Sequence, residues 1–287
     1  MHPTEHSPLT AKDAREIQLE ILSEVYEYCI AHDLRIYLWA GTLLGAVRHG
    51  GFIPWDDDID TAMPRPDYER FCRGFSAVGQ RSLDLFTRET NPQYRYPFAR
   101  VADRRTRISE RSLMAVPMGV SIDIFPIDGW PDGDRAARRH WHLLRVLHRA
   151  RAIRTARPRE GRRRTFKNAA IRITKPLMSL VRVRFLTGLV TRIATKPGYE
   201  SCRQVGVVAW PGSATAGRGN ATRYLECVER EAYGDPVVIA FEGHSFKAGP
   251  TDPDQILSRL YGDYMVPPPE SQRSHTHFYA AHWISTR

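Results

Sequence analysis

The chain has 287 residues, of which 42% are hydrophobic and 10% aromatic, and its net charge is +10. This composition provides enough apolar surface for a sizeable core and excludes a chain that is disordered throughout. No run of about 18 uncharged apolar residues is present, so we expect no segment that spans a bilayer. The length allows one large domain or two of ordinary size.

The positive charge is concentrated in residues 135–196, which we call the basic block. This segment contains 19 Lys or Arg and one acid, Glu160, so its net charge is +18 and the rest of the chain sums to −8. A segment of this kind predicts an anionic partner. Two interpretations stay open: a solvated helical face, or a platform that contacts an anionic membrane or acceptor. Nucleic acid is disfavoured because no recognition motif accompanies the charge.

The four cysteines, Cys29, Cys72, Cys202 and Cys227, match neither a zinc pattern nor a dense disulfide framework. We interpret them as ordinary thiols of a reducing compartment. The first residues lack the basic-then-apolar pattern of a signal peptide. The sequence therefore predicts a cytoplasmic protein, either free or peripheral at the inner face of the membrane.

The first half of the chain mixes helices with short strands. Thr10 and Asp13 form a weak capping box for a helix over 10–32, whose apolar residues recur at helical spacing. Prolines at positions 64 and 126 are expected to stop two of the strands. We predict further helices over 42–48 and 67–75, and strands over 34–40, 59–63, 83–86, 96–101, 106–108 and 120–125.

The second half begins with the basic block, which is helical in character with an expected break at 158–161. Strands over 237–241 and 245–246 and a short helix over 254–261 follow. Consecutive strands with few crossover helices favour a mixed, largely antiparallel sheet over a doubly wound one. The predicted fold class is therefore α+β.

The acidic run at residues 56–60 carries the chemistry. Alternate residues of a strand face the same way, so Asp58 and Asp60 should point together while Ile59 packs behind the sheet. Two carboxylates this close repel each other unless a cation lies between them, and oxygen ligands suit Mg²⁺ or Mn²⁺. Asp123, flanked by isoleucines in a predicted strand, is the expected third carboxylate. An acidic run is commonly a solvated loop, but Trp55 and the apolar residues after it indicate partial burial.

Gly41 and Thr42 lie where a predicted strand passes into a helix. Backbone N–H groups at a helix start attract phosphate, and glycine lets a ligand approach the backbone closely. The hydroxyl of Thr42 can add a further contact. This pair is therefore a predicted substrate-binding element.

Residues 41–60 read GTLLGAVRHGGFIPWDDDID and closely resemble the signature of LicD family transferases, which include bacterial phosphocholine transferases and relatives of fukutin. Further matches to the family are residues 121–128, 241–243 and 261–264, followed by Pro267 and Pro268. The resemblance covers about 34–128 and 238–270. Residues 135–235 match no family pattern, and we expect them to govern the acceptor.

The resemblance implies a nucleotidyltransferase fold like that of DNA polymerase β. It also implies transfer of a substituted phosphate, of the phosphocholine or polyol-phosphate type, from a CDP-activated donor to a hydroxyl of a glycan or glycolipid. The metal pair would be Asp58 and Asp60, with Asp123 as the third acid that orients or deprotonates the acceptor hydroxyl. Arg48 and Arg100 are candidates to neutralise the departing phosphate, with a purely structural role as the alternative for each.

The predicted organisation is a catalytic core over 1–134, a basic helical insertion over 135–200 and a C-terminal part over 201–287 that completes the catalytic domain. Two alternative functions stay open: nucleotidyl transfer to a small hydroxylated molecule, or a non-catalytic protein that binds anionic surfaces. The late histidines His275, His277 and His282 could contact phosphate or metal, or belong to a surface tail.

Overall fold

The computed structural model describes residues 8–75, 82–109, 116–155, 181–210, 227–273 and 280–284. Its helices are α1 (Ala11–Ala31), α2 (Ala40–His49), α3 (Arg65–Phe75), α4 (Asp134–Thr155), α5 (Val183–Ala194), α6 (Arg230–Tyr233) and α7 (Pro253–Tyr261). Its strands are β1 (Tyr37–Leu38), β2 (Asp60–Pro64), β3 (Leu83–Phe86), β4 (Ala99–Asp103), β5 (Thr106–Ser109), β6 (Ser121–Trp130), β7 (Gln204–Gly206), β8 (Cys227–Glu229), β9 (Val237–Phe241), β10 (His244–Gly249) and β11 (Ala280–Trp283).

The centre of the described structure is a mixed sheet of seven strands. Its main path runs β1-β2-β6-β4-β3, and β7 and β8 continue from β6. The pair β2–β6 is parallel, and the other pairs of this sheet are antiparallel. The predicted mixed, largely antiparallel sheet is therefore confirmed. Two small antiparallel sheets, β9–β10 and β5–β11, accompany it.

Helix α1 forms as its sequence pattern predicts. Thr10 accepts a hydrogen bond from the N–H of Asp13, and the carboxylate of Asp13 accepts one from the N–H of Thr10. This capping box satisfies two N–H groups that a helix start leaves without partners. The buried residues of the helix include Ile17, Ile21, Val25 and Cys29, which are spaced four apart and pack into the main core.

Strand β6 is longer than predicted, because it does not stop at Pro126 but continues to Trp130. Proline lacks an N–H and is therefore confined to places where the ladder needs none. Pairing with β4 ends at Ile124 and pairing with β7 begins at Asp128, so Pro126 lies between the two antiparallel ladders. The parallel pairing with β2 runs past it.

Other predicted boundaries shift by a few residues. Strand β1 has two residues instead of seven, and β4 begins three residues later than predicted. Helix α2 begins at Ala40 rather than Thr42. It ends where expected, because Gly50 adopts the left-handed conformation that glycine tolerates at a helix C-terminus.

The basic block is helical in its described parts. Helices α4 and α5 pack against each other, and a second apolar cluster that includes Leu144, Val190 and Ala194 joins them to Trp130 of β6. The predicted break at 158–161 lies outside the described residues. Among the described helices, none has the length and apolar character needed to cross a membrane.

The C-terminal segment returns to the body of the protein. Phe241 of β9 packs against Phe52, which follows α2, with ring centroids 5.0 Å apart. His282 lies in β11 and pairs with Arg107 of β5. His275 and His277 lie outside the described residues, and any role of the three histidines stays a prediction.

Candidate metal and phosphate site

The parallel pair β2–β6 brings two of the predicted acids together. Asp60 is the first residue of β2, and Asp123 is its direct partner on β6. The N–H of Asp123 also donates to the carbonyl of Ile59 at 2.9 Å. Asp123 therefore lies on the strand next to Asp60, as predicted for the third acid.

Asp58 precedes β2, in a segment without regular secondary structure that we call the acid loop, residues 53–59. One carboxylate oxygen each from Asp56, Asp57 and Asp58 lies within 4.8 Å of the others. Strand alternation predicted that Asp57 would point to the opposite face, and this prediction is wrong. Alternation applies to extended pleated backbone, whereas the acid loop turns before the strand begins.

The acids strongly influence one another. Burial raises the pKa of Asp58, and the charges of Asp60, Asp56 and Asp123 raise it further. Burial likewise raises the pKa of Asp60, with contributions from Asp123 and Asp56, while Arg100 acts in the opposite direction. Carboxylates crowded in this way are stabilised by a bound cation.

Arg100 of β4 is the direct neighbour of Asp123 across the antiparallel pair β4–β6. Its Nε and Nη2 atoms donate to the two carboxylate oxygens of Asp123 at 2.6 and 3.0 Å. The guanidinium also lies over the rings of Tyr96 and Phe98, at 4.8 and 5.6 Å from their centroids. In this structure Arg100 therefore neutralises Asp123, and its predicted contact with a departing phosphate stays a prediction.

Thr42 and Gly41 lie in the first turn of α2 and contact the acids directly. The Thr42 hydroxyl accepts a hydrogen bond of 2.8 Å from the N–H of Asp60. The backbone N–H of Thr42 donates to the carbonyl of Trp39. A Cβ atom on Gly41 would collide with the Asp56 carboxylate. Glycine thus lets the Asp56 carboxylate approach the helix closely, and a larger residue would require that carboxylate to move. The predicted phosphate contacts of Gly41 and Thr42 stay predictions.

Arg48 lies seven residues after Gly41, in the last turn of the same helix. Its Nη1 atom donates to the carbonyl of Tyr264 at 2.5 Å, so it links α2 to the C-terminal segment. Burial lowers the pKa of Arg48. Its predicted role toward substrate phosphate stays a prediction.

Two polar residues of α1 hold the acid loop, and neither was among the predicted site residues. Arg15 donates from Nη2 to the carbonyl of Asp56 at 2.8 Å and, at 3.5 Å, to those of Ile53 and Pro54. Gln18 donates to the carbonyl of Asp57 at 3.1 Å. A buried polar residue on the apolar face of a helix requires a partner, so the position of Gln18 was the available clue.

Glu242, in the β9–β10 turn, fixes the other end of the connection from α2 to the acids. Its carboxylate accepts a 2.7 Å hydrogen bond from the N–H of Phe52, and its N–H donates to the carbonyl of Gly50 at 3.0 Å. Glu242 has a φ of 50°, which is strained for a residue with a side chain. A Cβ on Gly51 would collide with the Glu242 side chain. The motif at 241–243 contained this residue, but sequence alone did not identify its partner.

Comparison with known proteins identifies a family that this site resembles. Residues 33–136 match the family model described as LicD/FKTN/FKRP, nucleotidyltransferase domain. That range contains the acid loop, Asp60, Arg100 and Asp123. The predicted resemblance to the LicD family is therefore confirmed for residues 33–136.

Among individual proteins, the chain is similar to the lipopolysaccharide cholinephosphotransferase LicD of Haemophilus influenzae. The two are 28% identical over 274 residues, which cover 93% of this chain and 96% of that protein. Local matches occur with uncharacterised proteins of Rickettsia typhi, 32% identical over 65 residues, and Rickettsia prowazekii, 38% identical over 48 residues. These two matches cover 22% and 17% of this chain and 21% and 18% of the Rickettsia proteins.

Proposed function

We propose that this chain is a metal-dependent transferase that moves a substituted phosphate, phosphocholine in the first instance, from a CDP-activated donor to a hydroxyl of lipopolysaccharide or a related glycan. The placement of Asp60 beside Asp123, with Asp56 and Asp58 close by, carries this proposal. The similarity to a cholinephosphotransferase along nearly the whole chain supports a phosphotransferase enzyme. The description of the matching family model also supports a nucleotidyltransferase fold. Within that fold, we propose that residues 1–134 and 201–287 form the catalytic domain and that residues 135–200 form the basic helical insertion.

Mg²⁺ or Mn²⁺ fits the acid residues. Their ligand atoms are all carboxylate oxygens, which suit these ions, and burial together with mutual repulsion raises the pKa of Asp58 and Asp60. The residues that would hold the ion are Asp58, Asp60 and Asp123, with Asp56 as an additional ligand. When bound, the ion would offset phosphate charge and lower the pKa of the acceptor hydroxyl.

The chain's own residues supply the remaining chemistry. Asp123 would orient the acceptor hydroxyl and accept its proton at a carboxylate oxygen. Arg100 would fix the direction of that carboxylate through its two hydrogen bonds. Arg15 and Gln18 would hold the acid loop in place through its carbonyl groups, so that the acids keep their spacing as substrate binds.

One alternative is nucleotidyl transfer, which the description of the family model as a nucleotidyltransferase domain favours. The same acids would serve both reactions. The products distinguish them: attack on the phosphorus bearing the head group releases CMP, whereas attack on the α-phosphorus of a nucleoside triphosphate releases pyrophosphate.

The decisive experiment incubates the protein and lipopolysaccharide with CDP-choline, CDP-glycerol, CDP-ribitol or CTP, with and without Mg²⁺. We expect CMP release with CDP-choline that depends on Mg²⁺ and on lipopolysaccharide, and loss of that release in Asp58→Asn. Pyrophosphate release from CTP would favour the alternative. Absence of any product under all conditions would contradict both reactions.

The basic block has a separate proposed role at the inner face of an anionic membrane, where a glycolipid acceptor would be presented. Leu143, Val146 and Phe185 expose 47, 62 and 61% of their surface on α4 and α5. Helices that combine exposed apolar residues with arginines bind anionic interfaces. The charge of the block supports the same partner.

A further inference from the structure

Two side chains lie against the indole ring of Trp55, a residue of the acid loop, and a second arginine lies beside one of them. The guanidinium of Arg273 lies 4.8 Å from the centroid of the Trp55 ring. The His49 ring meets the same indole edge-on at 6.2 Å, and Arg48 Nε lies 3.4 Å from His49 Nδ1. Trp55 directly precedes Asp56, so the indole end of this group adjoins the acids.

The two arginines are only weakly balanced by negative charge. Among the described residues Arg48 forms no ion pair, and its acceptor in the C-terminal segment is the carbonyl of Tyr264. Arg273 donates from Nε to the carbonyl of Pro268 at 2.9 Å and lies 3.8 Å from Glu270. The Glu270 side chain is 90% exposed, so solvent screens that pair.

The positive charges of Arg48 and Arg273 repel each other. Burial lowers the pKa of Arg48, Tyr261 opposes the effect, and the charge of Arg273 lowers the pKa further. Each guanidinium has five N–H donors, and its hydrogen bonds to described residues use only some of them. An anion bound between the two would use free donors and relieve the repulsion.

Helix geometry gives the distance of this group from the acids. Gly41 and Arg48 are seven residues apart on one face of α2, which corresponds to about 10.5 Å along the axis. Gly41 contacts Asp56, so the helix end that carries Arg48 lies about two turns from the acids. A substrate held at the acids would need a second charged group to reach both places.

We propose that Arg48, Arg273 and Trp55 form a phosphate-binding subsite that takes a phosphate of one substrate other than the one undergoing transfer. The inference rests on the proposed function for the identity of the substrates. Arginine binds phosphate bidentately, and the indole face orients the guanidinium of Arg273. The phosphate belongs either to the nucleotide part of the donor or to a phosphorylated glycan acceptor.

Binding can be tested without turnover. The full chain, in EDTA, is titrated with CDP and with phosphorylated core oligosaccharide by calorimetry. Arg48→Gln and Arg273→Gln should each weaken binding of one probe roughly 10-fold or more, while Arg273→Lys and Trp55→Phe lose less. The matched control is Arg203→Gln, whose side chain is 78% exposed and paired with Glu229 on another part of the surface.

The KM values then assign the phosphate. A raised KM for CDP-choline in Arg48→Gln and Arg273→Gln supports a donor phosphate, and a raised KM for lipopolysaccharide supports an acceptor phosphate. Unchanged affinity for both probes in folded variants, checked by circular dichroism, would overturn the subsite even if the enzyme is fully active. Conversely, weakened binding in a protein that turns over no CDP donor would support the subsite and reject the proposed function.

Discussion

Asp60 and Asp123 are direct partners in the parallel strand pair β2–β6. Their adjacency, together with Asp56 and Asp58 in the acid loop, concentrates negative charge in a buried place. Burial and repulsion raise the pKa of Asp58 and Asp60. A raised carboxyl pKa means that folding costs free energy near neutral pH, where the same group is ionised in the unfolded chain. Substitutions that remove one of these carboxylates should therefore stabilise the metal-free protein and lower its activity.

Asp58→Asn and Asp60→Asn should each abolish most activity while stabilising the metal-free protein. Removing one negative charge relieves repulsion, and the melting temperature in EDTA should rise by roughly 2–4 °C for each kcal/mol relieved. Turnover should fall about 100-fold or more, because a metal ligand is lost. Asp84→Asn, which removes an exposed acid paired with Arg104, serves as the control. Near-normal turnover with Mg²⁺ would show that the assigned ligand is wrong.

Arg100→Gln should destabilise the fold by about 3 kcal/mol or more in urea unfolding, because it leaves the Asp123 carboxylate without its counter-charge. Arg100→Lys keeps the positive charge but loses the two parallel hydrogen bonds, so its stability should lie between those of the parent protein and Arg100→Gln. The double variant Arg100→Gln with Asp123→Asn should recover part of the loss. Arg104→Gln, in an exposed pair with Asp84, should cost less than about 1 kcal/mol. A loss equally small in Arg100→Gln would contradict this account.

Arg15→Gln should raise the Mg²⁺ concentration needed for half-maximal activity by about 10-fold, since groups that support metal ligands have effects of this order. The variant removes the hydrogen bond to the Asp56 carbonyl and loosens the acid loop. Arg15→Lys should restore part of the metal affinity. Lys12→Gln, an 85% exposed position on the same helix, is the control. An unchanged Mg²⁺ requirement in Arg15→Gln would contradict a role of Arg15 in supporting the metal site.

Gly51→Ala should lower stability by about 1–3 kcal/mol and reduce turnover, because the new methyl group displaces the Glu242 side chain. Glu242→Ala removes the acceptor of the Phe52 N–H and should also reduce turnover. The two effects should not add: the double variant is expected to be no worse than Glu242→Ala. Full additivity in this cycle would mean that the two residues act independently.

The basic block should bind vesicles that contain anionic lipid and release them at high salt, since the attraction is electrostatic. Phe185→Ser should weaken flotation with these vesicles because it removes an exposed apolar side chain next to Arg184. Val238→Ser is the matched control, 70% exposed on β9. Equal flotation of both variants, or no salt-sensitive flotation of the parent protein, would contradict the proposed membrane contact of the basic block.

Much of the local structure followed from sequence. The capping box at Thr10 and Asp13, the end of α2 at Gly50 and the mixed sheet are confirmed. Capping, helical spacing and left-handed glycine are properties of neighbouring residues, so a sequence contains enough information to predict them. The strand patterns around Asp60 and Asp123 also placed these two acids correctly on adjacent strands.

Partnerships between distant residues required the tertiary structure. Arg100 neutralises Asp123 from 23 positions away, Arg15 holds the Asp56 carbonyl from 41 positions away, and Glu242 binds the Phe52 N–H from 190 positions away. Sequence therefore determined which residue types were present and which short elements they form. Only packing decided which side chains meet, because hydrogen bonds and charge pairs depend on distances of a few ångströms that sequence separation does not specify.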